Sequence, residues 1–358
     1  MAKGLTITVL FESSALNRDE RVGGNVYSIK KIVRPEGAYS YMSKGFIRYH
    51  LFNTLHNGFD WKVAPVVQTT SSENHVVQFD FPRANIIEHE EIDLFGYMNT
   101  MYSKSGDKPQ NIGITRKAPL GISKAIALEP WGADISFNAN HDLVSRARKA
   151  GLNSNPNPFR KEEDYSVYKV SYTLDMTRFG YQEHVFGEVP EGVIDWLTKS
   201  SVSCKFSEVE KNCSSTAKTL EPKALWHKLV RNGEIKGFVG IMDKKNVYFI
   251  VADKEKQKRL LDLLTAIKDG LMMQASSECY GAVPQFIIAS TLKVPVPVLS
   301  RFINIENGKI DEELLSHGLK NSYIQKSWID GIYPLGIRGK KIAKSFNPKT
   351  IVKNVTKE

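Results

Sequence analysis

At 358 residues the chain is long enough for one large domain or two ordinary ones, and a hydrophobic fraction of 41% against 25% charged residues excludes a disordered or fibrous protein. Lysine and arginine number 49 against 39 aspartates and glutamates, a formal net charge of +10 that brings polyanions forward as a partner class without naming one. No apolar run approaches the roughly 20 residues of a membrane helix, the N-terminus lacks a signal-peptide core, and Cys204, Cys213 and Cys279 form no C-x-x-C pair, so no membrane association, disulfide framework or zinc site is expected and the compartment reads as a reducing cytoplasm.

Residues 5–11, Leu-Thr-Ile-Thr-Val-Leu-Phe, alternate apolar with small polar positions and predict a half-buried first strand. A polar stretch with Asn17, Arg18, Gly24 and Asn25 leads into a basic strand-like segment over 26–34 and a turn at Pro35-Glu36-Gly37, together a hairpin excursion. From Ser43, an available N-cap, Phe46, Ile47, Leu51, Phe52 and Leu55 share one face of a helix ending near Asn57-Gly58, with Lys44, Arg48 and His50 on the opposing edge. Polar, proline-bearing sequence over 151–164 reads as a loop, 165–177 as a strand, 189–201 as a short amphipathic helix and 203–222 as another polar excursion. Residues 246–251 predict a strand, 254–273 a helix and 286–289 a further strand, after which Pro295 and Pro297 break regular structure. Mixed order with long insertions indicates an α+β fold around an antiparallel sheet.

Enzymatic signatures are sparse. No phosphate loop, dinucleotide-binding glycine motif or Gly-x-Ser-x-Gly elbow is present, and the eight histidines lack metal-ligand spacing. The acidic run Glu88-His89-Glu90-Glu91-Ile92-Asp93 reads as a solvated turn or helix start rather than a metal site, because neighbouring side chains on a regular backbone diverge. No cofactor and no metal is expected.

Positive charge concentrates in three places: Lys30, Lys31 and Arg34 on the early hairpin, Lys44 and Arg48 four apart on the first helix, and Arg338, Lys340, Lys341, Lys344, Lys349 and Lys353 near the C-terminus. For this last stretch, residues 338–358, a disordered basic arm and an ordered contact both stay open. Ser43 and Lys44 at a helix start suit a phosphate, which the free N–H groups and the helix dipole attract, and Arg48 adds a bidentate donor one turn on. Such contacts carry no base-sequence information.

The strings Ala15-Leu16-Asn17-Arg18-Asp19-Glu20, Gly24-Asn25, Tyr41-Met42-Ser43-Lys44-Gly45-Phe46-Ile47-Arg48-Tyr49, Asp93-Leu94-Phe95-Gly96-Tyr97 and Arg116-Lys117-Ala118-Pro119-Leu120 resemble the CRISPR-associated Cas-seven family in its DevR branch over about the first 140 residues. The resemblance implies a single palm domain over 1–358 with a modified RNA-recognition-motif (ferredoxin-like) sheet, a finger-like insertion near 60–150 and a thumb-like or second insertion near 178–245. It implies a non-catalytic backbone subunit of a type I Cascade complex, with a lean toward I-B, that oligomerises as a helical filament along crRNA and presents it to target DNA beside other Cascade subunits. Asn17, Arg18, Asn25, Lys30, Ser43, Lys44 and Arg48 are the implied guide-backbone contacts. Lys31, Arg34 and Arg116 complete the candidate set.

Two alternatives remain. One is an endoribonuclease like the type III relatives, for which Glu36 is the only acid on the loop ahead of the first helix; the other is an assembly protein that needs no RNA.

Overall fold

The first strand, Gly4–Ser14, is buried on both faces rather than one. It lies antiparallel between Tyr165–Asp175 and Phe286–Leu292. Its odd positions Leu5, Ile7, Val9 and Phe11 enter one core. Thr6 and Thr8, which in sequence mark a solvent face, are buried on the opposite face because hydroxyls on the next strand satisfy them: Thr8 bonds Ser171 at 2.8 Å and Thr6 bonds Thr173 at 3.1 Å.

The structure is a computed structural model and describes residues 2–21, 26–71, 74–105 and 108–356. Around the first strand a nine-stranded sheet runs in the order Ile342–Ala343, Ile324–Gly331, Phe286–Leu292, Gly4–Ser14, Tyr165–Asp175, Ala125–Ala127, Gly37–Met42, Lys31–Arg34, with Leu120–Ile122 also paired to Tyr165–Asp175. Its neighbours are antiparallel except for the short pair at the Ile342–Ala343 edge, so the α+β, antiparallel expectation holds.

One face of this sheet is covered by three helices, Lys44–Phe59, Asp253–Asp269 and Pro348–Thr356, which bury Leu51, Leu55, Leu260, Leu264, Ile351 and Val355. The first helix runs through Gly58 and stops at Asp60, which takes the left-handed conformation at φ 58 and returns its N–H to the Leu55 carbonyl. The C-terminal stretch is an ordered element: Pro348–Thr356 packs against Asp253–Asp269. The other face is covered in part by residues 295–321, whose Leu299, Ile303 and Leu315 meet Leu10, Phe286 and Ile288.

A second sheet of five strands, Tyr181–Val185, Asn246–Val251, Glu234–Met242, Leu225–Arg231 and Val202–Cys204, carries the helix Glu191–Ser200 on one side through Val193, Trp196 and Leu197. On the other side lies the stretch read from sequence as a polar excursion. It forms the helices Phe206–Asn212 and Ser214–Ala217, held by Val209, Cys213 and Ala217 against Trp226 and Phe238. A small third sheet joins Arg18–Arg21, Val26–Ile29, Phe159–Glu162 and Ile135–Asn138, so part of the expected 151–164 loop is a strand.

Candidate nucleic-acid interface

Ser43 caps the first helix: the Phe46 N–H donates to its hydroxyl at 3.2 Å, and the Ile47 N–H to its carbonyl at 3.1 Å. Asn17 sets the cap in place, its side-chain oxygen accepting the Ser43 N–H at 2.8 Å. Lys44 and Gly45 are exposed, and the first turn contains no acid. Free N–H groups and the positive end of a 16-residue helix therefore face solvent without a built-in counter-charge. Arg48 lies one turn on, its guanidinium 4.9 Å from the Phe95 ring centre, which orients it while leaving its donors open. Neither Lys44 nor Arg48 makes an ion pair among the described residues. His50, placed by the sequence on the same edge, is instead buried against Phe46 and Tyr49, and burial lowers its pKa.

The hairpin cations behave differently. Arg18 bonds Glu163 at 3.0 Å and the Glu162 carbonyl, Lys30 pairs with Asp19 at 2.8 Å, and Lys31 pairs with Glu162 at 2.7 Å while lying 3.7 Å from the Trp131 ring centre. Their charge is offset by carboxylates that knit the third sheet. Asn25 lies outside the described residues. Arg34 is exposed on the far face of the central sheet, over Tyr39.

Arg116 is not at a surface at all, and leaves the candidate set. Its side chain is 4% exposed and bonds Asp93 at 2.6 Å and the carbonyls of Tyr181 and Arg178 at 2.7 and 3.0 Å. Arg259 reaches Asp93 from the other side at 3.1 Å and bonds the carbonyls of Ile86 and Ile87. The acidic run is thus a helix start, Glu90–Phe95, but not a solvated one. Asp93 is fully buried, Glu88 bonds Arg231, and Glu90 and Glu91 accept the N–H groups of Lys62 and Ala64. Gly96 of the matched Asp93–Tyr97 string has φ 65, and a Cβ there would strike the Arg116 carbonyl and Ala118.

Residues the sequence reading missed include Lys124 and Tyr41, which meet with the ammonium 4.3 Å from the ring centre beside the helix start. Tyr41 stood in the matched string; Lys124, a single lysine outside the three basic clusters, gave no signal of its own. Glu36 is exposed in the turn between Lys31–Arg34 and Gly37–Met42, and no group of three or more His, Cys, Asp or Glu positioned for a metal occurs among the described residues.

A family model described as CRISPR-associated negative auto-regulator DevR/Csa2 matches residues 5–314. A CRISPR-associated protein Cas7/Cst2/DevR of Myxococcus xanthus (strain DK1622) is 34% identical over 83 residues, 23% of this chain and 26% of the relative, so the match spans about a quarter of that protein's length. Among solved structures, a chain of a CRISPR RNA-guided surveillance complex in its pre-nicking state overlays with a TM-score of 0.51 at 8% identity, covering 98% of this chain and 100% of that one, a likeness of fold. A chain of a second CRISPR RNA-guided surveillance complex is covered to 99%, with a TM-score of 0.45 and 10% identity. Because the family match runs from the first strand to the cover over the far face of the sheet, the chain belongs to the CRISPR-associated DevR/Csa2 family of Cas7-type proteins.

Proposed function

We propose that this protein is a non-catalytic subunit of a Cascade-type RNA-guided surveillance complex, working in the cytoplasm, and that it holds the sugar-phosphate backbone of crRNA at the start of helix Lys44–Phe59. The observation that carries the reading is the helix terminus itself: a capped, acid-free first turn with exposed Lys44 and an oriented Arg48 that makes no ion pair among the described residues. Backbone recognition accepts any guide sequence, leaving base pairing to read the target DNA. The central sheet serves as an RNA-recognition-motif-like palm, and copies of the chain line up along the guide.

The test is purification from a host expressing a matching CRISPR array. A guide-length RNA is expected to co-elute with a high-mass assembly, and to be lost with the charge reversals Lys44→Glu and Arg48→Glu. An RNA-free monomer from the unaltered chain would overturn the reading. Non-catalysis is tested separately: the assembled complex with magnesium is expected to leave a complementary RNA intact, whereas cleavage abolished by Glu36→Ala would make the chain an endoribonuclease.

A further inference from the structure

The central sheet has a cationic strip on the face away from its helices. Strand register fixes which residues share that face. Arg34 lies opposite Gly37 and so on the side of Tyr39 and Tyr41; Tyr41 lies opposite Ile126, and Ile126 opposite Lys169. Lys124, two residues before Ile126, stands on the same side over Tyr41. Beyond it the face opens into a groove of about 440 Å³ lined by Lys117, Ser123, Ser171, Thr173, Asp175 and Arg178, among other residues.

The charge in this strip is uncompensated, and that separates it from an ordinary solvated surface. Among the described residues Arg34, Lys117 and Lys124 make no ion pair. The Asp175 carboxylate in the groove is already engaged by Thr177 and Arg178. Lys169 donates to the Ile303 carbonyl at 2.8 Å, and burial first, with the nearby Arg34 adding, pushes its pKa down to about 8. In and beside the small third sheet, by contrast, Arg18, Lys30, Lys31 and Lys161 each have a carboxylate partner. The strip is also rigid. The Ser123 hydroxyl accepts the Ser171 N–H at 2.8 Å and donates to the Lys124 carbonyl at 2.9 Å, pinning Lys124 to the central strand.

We propose that this strip, with Arg34, Lys124 and Lys117 as its donors, is a second phosphodiester track, distinct from the helix-terminus site and adjoining it at Tyr41–Ser43. The proposal rests on the reading of the chain as an RNA binder. Two sources supply such a backbone: the same RNA strand continuing past Ser43, or a strand paired to it. Arg34 and Lys124 both lie over tyrosine rings, so each cation is positioned without a carboxylate that a phosphate would have to displace.

The experiment compares the full chain with two double variants, Arg34→Gln/Lys124→Gln and Lys44→Gln/Arg48→Gln. All four positions are at least partly exposed, and a thermal melt checks that both variants stay folded. Affinity is measured across a salt series for a guide-length single-stranded RNA and for that RNA annealed to complementary DNA. Losing two phosphate contacts is expected to flatten the slope of log affinity against log salt by about 1.4 on the single strand. Flattening by Arg34→Gln/Lys124→Gln on both probes supports a continuing RNA strand; flattening on the hybrid alone supports the paired strand. An unchanged slope on both probes while Lys44→Gln/Arg48→Gln weakens binding overturns the second track and leaves the helix-terminus site standing. If neither pair alters binding, both fall.

Discussion

Asp93 accepts from Arg116, Arg259 and the Gly180 N–H at once, and all of these groups are buried. One carboxylate thereby fixes the turn that leaves the central sheet after Asp175 and the strand Tyr181–Val185 that opens the second sheet. Removing one member of a buried charge cluster leaves the others unpaired, so Asp93→Ala is expected to cost about 3–5 kcal/mol, read as a lowered urea midpoint. His184 is a second buried device. It sits beside Tyr97 and Gln182, and burial, with Arg116 adding, pushes its pKa down to about 4 from 6.5. The unfolded chain takes up this proton first, so its contribution to stability is complete above about pH 6.5 and is lost as pH falls toward 4. Denaturation midpoints of the unaltered chain should therefore fall more steeply between pH 7 and pH 5 than those of His184→Gln; parallel curves would remove His184 from the account.

The helix Lys44–Phe59 was legible because its signals are local: a serine cap, three- and four-residue apolar spacing, and two cations four apart. Its start is also where function and stability separate. Ser43→Asp retains a capping oxygen and should keep the melting temperature within a degree or two of the unaltered chain, yet place a negative charge at the proposed phosphate site and weaken RNA binding roughly tenfold. If affinity were unchanged, the helix terminus would not face phosphate. The roles of Arg116, Arg18 and Lys31 were illegible for the opposite reason: a sequence shows a cation but not the distant carboxylate that neutralises it, and Asp93, Glu163 and Glu162 are 23, 145 and 131 residues away. The 203–222 stretch misled because Val209, Cys213 and Ala217 are single apolar residues in polar turns, and only the second sheet gives them something to cover. At the C-terminus, lysines concealed Ile351, Val352 and Val355. Ending the chain before Pro348 uncovers the central core and should cost roughly 5 kcal/mol, visible as a lower melting temperature and new binding of a hydrophobic dye.

At the scale of the whole molecule, positive charge among the described residues is unevenly compensated: Arg18, Lys30, Lys31 and Lys161 have carboxylate partners, whereas Lys44 and Arg48 at the helix start and Arg34, Lys117 and Lys124 on the far face of the central sheet make no ion pair. A formal net charge of +10 therefore understates how strongly one region attracts a polyanion. Assemblies on RNA should dissociate as salt rises from 50 to 500 mM, measured by mass photometry; particles indifferent to salt would indicate protein-only contacts. Strand order has a different consequence, in time rather than space. The strand made first stands between one ending at residue 175 and one ending at 292. At a synthesis rate of about 5–20 residues per second, its apolar edge waits on the order of 10 s or more for its first neighbour and longer for the second. Newborn chains therefore pass through a stage in which the future centre of the protein is an unpaired, aggregation-prone edge, making chaperone supply and translation speed determinants of how much of this protein a cell obtains.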